Sequence, residues 1–336
     1  MFGVAKQSDA HGASRCRGWR RGCNRMNINK RAIGPDWLAV DWGTSHLRIW
    51  LLNAQGHILA KACDDSGMAA LSSDQFYARF TRLAAPFLSQ DKVIPVVACG
   101  MIGAKQGWHE APYIAAPCSA PGLEDAQKIE TRDERFSLYI LPGVKQARPA
   151  DVMRGEETQI AGFLNQNPSF DGVLCLPGTH TKWVRVSAEE IVSFQTFMTG
   201  EMFSLLGQTS VLKHSIASSG WHKGAFLEAL DATISAPASI ASKLFGLRAE
   251  TLLNDLSGAV ARSRLSGFLI GLELSAARPY WLGQDIAIIG AEELSMAYID
   301  GLISQGVQPQ SHHSVDMTLA GLTKAYQQIQ GSINAT

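Results

Sequence analysis

The sequence has no C-x-x-C pair, no apolar run of membrane length and no excess of either charge. Its six cysteines, Cys16, Cys23, Cys63, Cys99, Cys118 and Cys175, are scattered, a spacing that supports neither a zinc site nor a disulfide framework. Cys99 and Cys175 lie inside apolar strand-like runs, where cysteine serves as a small hydrophobe. A reducing compartment, the cytoplasm, is therefore expected. No apolar stretch approaches the roughly 18 residues of a membrane span, so no membrane partner is expected. Thirty Lys and Arg balance thirty Asp and Glu, for a formal net charge of zero. That balance removes the electrostatic ground for nucleic acid as a general partner.

What is present is a chain of 336 residues, 46% hydrophobic and 18% charged. At that length two domains are expected rather than one enlarged core. The start stands apart: its first 34 residues carry eight Lys or Arg against one acid. It lacks the apolar segment of a secretory signal. An Arg-rich start of this kind fits a transit peptide or a nucleic-acid arm, but a disordered basic tail over residues 1–35, with Met26 as the true start, is the simpler expectation.

From Trp37 the pattern becomes regular. WLAVDW, GTS, HLRIWLL, NAQG and HILAKA read as strand, corner, strand, turn and strand, an antiparallel meander. From Val173 the chain repeats this as VLCLP, GTHT, KWVRV, SAEE and IVSFQTF. Gly43-Thr44 and Gly178-Thr179 hold equivalent places, which points to a duplicated unit. Between the meanders, Asp74 to Leu88 has helical spacing with Asp74 as cap, and Val93 to Ala98 and Leu138 to Leu141 read as strands. Glu156 to Leu164 reads as a helix. Beyond Met202 the pattern is mostly helical, closing with a strand-to-helix unit from Asp285 to Gly306. His312-His313 reads as a solvated loop. Each half is thus a mixed sheet flanked by helices.

A Gly-Thr corner exposes backbone N–H groups and hydroxyls with little bulk in front, the makings of an anion nest. One such corner says little; two from a duplicated unit can grip a polyphosphate from both sides. Asp41, at the end of its strand, suits a hard cation accompanying phosphates, or else accepts N–H bonds of the turn. The second constellation is DVMRGEETQIAG. Arg154 and Gly155 precede two acids at the start of a helix, where acids complement the dipole. Capping suits Glu157, whereas Glu156 follows a loop in which a carboxylate can approach a ligand as a general base.

These residues carry a resemblance. DWGTSHLR resembles the first phosphate motif of the hexokinase–actin superfamily of ATP-dependent sugar kinases, through Asp41, Gly43, Thr44, Ser45 and Arg48. LPGTHTKW resembles the second phosphate motif, and IIGAEELSMAYIDGL the late adenosine motif. In glycerol-kinase-like members a Gly-Asp before the second phosphate motif supplies the base. Gly155-Glu156 stands in that place, with Glu for Asp as the departure, so Glu156 and Glu157 both stay open. ACGMIGAKQGWHEAPYIAAP, MRGEETQIAG, LPGTHTKWV and MTGEMFSLL are together similar to the 2-dehydro-3-deoxygalactonokinase family, from about residue 37 to 330.

The resemblance implies a two-lobed actin-like ATPase (ribonuclease H-like) fold, with a five-stranded mixed sheet in each lobe and lobes at residues 36–148 and 149–336. It implies ATP-dependent phosphorylation of the 6-hydroxyl of 2-dehydro-3-deoxy-D-galactonate, in galactonate breakdown. Phosphates would meet Gly43, Thr44, Ser45, Gly178, Thr179 and His180, Mg²⁺ would sit near Asp41, and Arg48 would stabilise the transferring group. Adenosine would lie at Gly290 and Ala291. Arg154, Lys105 and Lys182 are the candidates for the sugar-acid carboxylate. Trp108 either stacks on the sugar or packs, and His180 either touches phosphate or holds its hairpin. A kinase for the gluconate-derived epimer, a sugar-sensing regulator and an actin-like ATPase remain as other readings, and a homodimer is left open.

Overall fold

Two sheets that share a five-strand order organise the chain. The computed structural model describes residues 34–333; apart from its last two residues, the segment expected to be a basic tail lies outside them. Strands β1 (Trp37–Trp42), β2 (Leu47–Leu52) and β3 (Ile58–Asp64) form the first meander. Then come β4 (Ile94–Gly100), the short β5 (Tyr113–Ala115), β6 (Cys118–Ser119) and β7 (Gln127–Ile129), and β8 (Phe136–Ile140). Strands β9 (Gly143–Gln146) and β10 (Asp151–Met153) precede the second meander of β11 (Gly172–Leu176), β12 (Thr181–Ser187) and β13 (Glu190–Phe197). Strands β14 (Ile286–Gly290) and β15 (Gln310–His313) come last.

The first sheet runs β3-β2-β1-β4-β8-β7 and the second β15-β14-β11-β12-β13-β6. Each contains a meander whose first strand is followed by two parallel neighbours, the ribonuclease H-like order, and two such sheets make the actin-like fold. The expected five strands per lobe become six, because β7 and β6 each add an antiparallel edge. Strands β5, β9 and β10 form a small third sheet.

Alternation of side chains explains the layering. Leu38, Val40 and Trp42 join Phe76 and Phe80 of the helix Gln75–Ala84 on one face of the first sheet. Trp37, Ala39 and Trp50 face the other way, onto Leu322, Ala325 and Tyr326 of the helix Ser314–Ile333. Trp37 stacks on Tyr326 with ring centroids 4.3 Å apart. The last helix of the chain therefore covers the first sheet. Across the second sheet, Leu174 and Val184 meet the helix Glu156–Gln166, while Trp183 points the opposite way, onto Phe226 and Leu230.

Two smaller expectations change. Asp74 stands at the helix start, but its carboxylate accepts from the Ser72 hydroxyl at 2.6 Å rather than capping. His312 and His313 lie on β15, not in a solvated loop, and the His312 ring meets Phe163 edge-on at 4.9 Å.

Candidate active site

The first corner joins β1 to β2. Antiparallel register sets Asp41 opposite Arg48, and Arg48 Nη1 donates to Asp41 Oδ2 at 2.6 Å. Gly43 N donates to His46 O at 2.9 Å, closing the turn, while Thr44 and Ser45 are exposed. A side chain at Gly43 would meet only His46 O, at 3.7 Å, so the space before the corner is open. Behind it, Met68 N donates to Gly43 O and Ala69 N to Thr44 O, each at 3.0 Å. Gly67 permits this brace: a Cβ there would fall 2.3 Å from Thr44 O.

The second corner repeats the design. Thr179 and His180 are exposed, and a Cβ at Gly178 would meet only His180 backbone, at 3.7 Å or more. Glu201 N donates to Thr179 O at 2.9 Å, and a Cβ at Gly200 would lie 2.2 Å from Gly178 O. In both lobes, then, a glycine beyond the third strand of the meander lets a helical turn seat on the carbonyls of the corner. Thr44, Ser45 and Thr179 of the corners are left exposed. His180 Nε2 lies 2.7 Å from Glu201 Oε2, a side-chain contact that ties the corner to this brace.

The acid pair stands beside the first corner. Gly155 (φ 107°) and Gly100 (φ 88°) both adopt backbone conformations that L side chains avoid. A Cβ on Gly155 would lie 3.4 Å from Gly100 Cα, and one on Gly100 would lie 2.8 Å from Trp42 O and 3.6 Å from Asp41 Oδ1. Close contact of the two glycines thus brings the RGEE loop to the end of β1. Glu156 opens the helix with its side chain 24% exposed, 3.6 Å from Lys182 Nζ, and its Oε2 accepts from Arg154 N at 3.1 Å. Glu157 is fully buried, and both its oxygens accept from Gly155 N, at 2.9 and 2.7 Å. Burial, with the Glu156 charge beside it, pushes the Glu157 carboxyl up to about 8. Of the two acids, Glu156 is the one a ligand can reach.

A sequence profile described as 2-keto-3-deoxy-galactonokinase matches residues 41–325, which spans both corners and the acid pair. The chain belongs to the 2-keto-3-deoxy-galactonokinase family. A Rhizobium meliloti (strain 1021) protein named probable 2-dehydro-3-deoxygalactonokinase is 36% identical over 294 residues, covering 85% of this chain and 95% of the relative. The 2-dehydro-3-deoxygalactonokinase of Escherichia coli (strain K12) is 31% identical over 273 residues, covering 80% and 90%. A crystal structure from Sinorhizobium meliloti, of a protein assigned as 2-dehydro-3-deoxygalactonokinase, superposes with a TM-score of 0.81 at 36% identity. It covers 87% of this chain and 99% of its own.

Kinases of this family use ATP, and the remaining candidates can be set against that chemistry. Gly290 ends β14, and Pro177, just before the second corner, would lie 3.4 Å from a Cβ there. Gly290, in the stretch that resembles an adenosine motif, and the second corner are therefore neighbours at the carboxyl ends of two parallel strands. Ala291 caps the helix Glu292–Ser304. Arg154 is 9% exposed: Nη2 donates to Ala111 O at 2.8 Å, the guanidinium lies 4.2 Å from the Tyr113 ring centroid, and Nη1 has no hydrogen-bond partner among the described residues. Lys105 is exposed. Trp108 packs on Trp42, Tyr77 and Phe80, with centroids 5.8 to 6.4 Å away, and stays partly exposed.

Sequence reasoning missed the groups that hold the second corner from below. Trp183 Nε1 and the Tyr298 hydroxyl each donate to Glu273 at 2.8 Å, and Thr181 donates to Tyr298 at 2.9 Å. Burial raises the Glu273 carboxyl to about 7, against hydrogen bonds led by Thr199 that lower it. The braces at Gly67 and Gly200 were also missed. Their signal was present as a glycine shortly after the third strand of each meander.

Proposed function

We propose that this chain is a 2-dehydro-3-deoxygalactonokinase that transfers the γ-phosphoryl group of ATP to the 6-hydroxyl of 2-dehydro-3-deoxy-D-galactonate. The product would be 2-dehydro-3-deoxy-6-phosphogalactonate, formed during D-galactonate breakdown in the cytoplasm. The observation that carries the reading is the convergence of Glu156 with the first corner through Gly100 and Gly155, together with the family of the chain. The cleft would lie between lobes of residues 36–148 and 149–336, although β6 pairs into the second sheet and the last helix packs on the first. Among the described residues, no helix is long and apolar enough to cross a membrane.

In this reading Gly43, Thr44 and Ser45 meet the phosphates from one side, and Gly178, Thr179 and His180 from the other, with adenosine at Gly290 and Ala291. No group of three or more His, Cys, Asp or Glu able to hold a metal occurs among the described residues. Asp41 with phosphate oxygens and water still fits Mg²⁺, which commonly takes only one or two protein carboxylates. The ion would neutralise phosphate charge. Glu156 accepts the proton of the sugar hydroxyl, and Arg48, held by Asp41, offers its remaining N–H groups to the phosphoryl group. Arg154 receives the substrate carboxylate, because a buried guanidinium nitrogen without a partner is costly until an anion arrives. Closure of the cleft keeps water from the phosphoryl group.

The test is ATP-dependent turnover, with Mg²⁺, over a panel of 2-keto-3-deoxy sugar acids. Highest kcat/KM on the galactonate-derived acid is the expected result. Preference for the gluconate epimer would move the substrate assignment, and no turnover by folded protein would end it.

A further inference from the structure

Lys182 is 5% exposed, a rare state for a lysine. It sits on β12, four residues beyond Gly178 of the second corner. Alternation sends Trp183 into the core beneath one face of the sheet and leaves Lys182 and Val184 on the other, the face covered by the helix Glu156–Gln166. Its one ion pair among the described residues is with Glu156, at 3.6 Å. That distance exceeds the roughly 2.7–2.9 Å of a closed charge-assisted hydrogen bond, so the ammonium has donors to spare. Asp151, on β10, is engaged elsewhere: it accepts from Thr196 N at 2.7 Å and Thr196 Oγ1 at 2.6 Å. The lysine is therefore desolvated, beside the acid, and attached to the strand that leaves the second corner.

We propose that Lys182 is a catalytic cation for the transferring phosphoryl group, not the partner of the sugar-acid carboxylate. The inference rests on Glu156 as the base. The sugar O6 gives its proton to the Glu156 carboxylate and forms a bond to the γ-phosphorus. The bond from that phosphorus to the bridging oxygen breaks, and ADP leaves with the electron pair. Lys182 keeps its three protons throughout; it donates one N–H to a phosphoryl oxygen while charge gathers there and another to Glu156. One fixed cation thereby serves both ends of the new bond, and electrostatic stabilisation of this kind requires no reorganisation during the reaction.

The experiment compares Lys182→Met, Glu156→Gln and the double variant in steady-state kinetics with 2-dehydro-3-deoxy-D-galactonate. For Lys182→Met, kcat should fall about a hundredfold or more, with the sugar-acid KM within about threefold of wild type. Lys182→Arg should recover at least about tenfold of the loss. The double variant should be little worse than Glu156→Gln alone, because the two groups act on one event. A sugar-acid KM raised about tenfold with kcat intact would make Lys182 the carboxylate partner and overturn the proposal. Unchanged kinetics, or losses that multiply in the double variant, would also overturn it. Should Lys182→Met not fold, Lys182→Gln decides on the same criteria. If Glu156→Gln alone retains wild-type kcat, it is the base assignment that fails, and the proposal built on it falls with it.

Discussion

Arg48 and Asp41 face each other across the first hairpin, with Nη1 2.6 Å from Oδ2. Both side chains keep some exposure, 24% for Arg48 and 16% for Asp41, so a ligand can reach the pair. A carboxylate that holds the arginine with one oxygen keeps the other for a cation, and the two functions should separate on mutation. Asp41→Asn should raise the Mg²⁺ concentration for half-maximal rate about tenfold or more. Arg48→Ala should lower kcat by about a hundredfold or more while leaving that concentration nearly unchanged. Mg²⁺ titrations of both variants check this; a raised Mg²⁺ requirement in both would merge the roles.

The glycine braces make a second prediction. A Cβ at Gly67 or Gly200 would lie 2.3 or 2.2 Å from a corner carbonyl, a clash that only backbone movement relieves. Gly67→Ala and Gly200→Ala should each cost about 1–3 kcal/mol and raise the KM for ATP more than that for the sugar acid. Chemical denaturation and two-substrate kinetics read these quantities. Equal effects on both KM values would detach the braces from phosphate binding.

Much of this site was legible in one dimension. Alternation and Gly-Thr spacing marked both meanders and both corners, since a corner is a local object and its chemistry is written in adjacent residues. What stayed hidden depends on contacts between distant segments. Glu273 meets Trp183 and Tyr298 only after two helices and a strand are packed. The helix Ser314–Ile333 reaches back to cover β1. Glu156 and Glu157 are adjacent in sequence, and burial alone separates them. Trp108 meets Trp42 and Phe80, residues far from it in sequence, only in the folded chain.

Stability should fall as pH rises from weakly acid to weakly basic conditions. The folded Glu157 carboxyl, raised from 4.5 to about 8 by burial and then by Glu156, favours the protonated form. Glu273, raised to about 7 mainly by burial, acts in the same direction. A raised acid contributes its stability below the unfolded pKa and loses it progressively up to the folded value. The window therefore runs from about 4.5 to about 8. Glu157→Gln and Glu273→Gln should each flatten the decline in Tm between about pH 5 and 8, and thermal melts across that range measure it. A wild-type Tm that climbs with pH would contradict the assignment.

Arg154 and Trp108 should diverge. Arg154→Ala should raise the sugar-acid KM about tenfold or more with a smaller change in kcat, since it removes binding that precedes the chemistry. Trp108→Ala should cost about 3 kcal/mol of stability through lost packing and leave the sugar-acid KM close to wild type. Kinetics and denaturation on the two variants distinguish them; a large KM effect for Trp108→Ala would return the ring to the substrate.

The most direct test of the central claim is the turnover of Glu156→Gln with ATP, Mg²⁺ and 2-dehydro-3-deoxy-D-galactonate, beside Glu157→Gln as control. The expected result is a loss of about a thousandfold or more in kcat for Glu156→Gln, with ATP still bound, and a far smaller loss for Glu157→Gln. Near wild-type turnover by folded Glu156→Gln would contradict it.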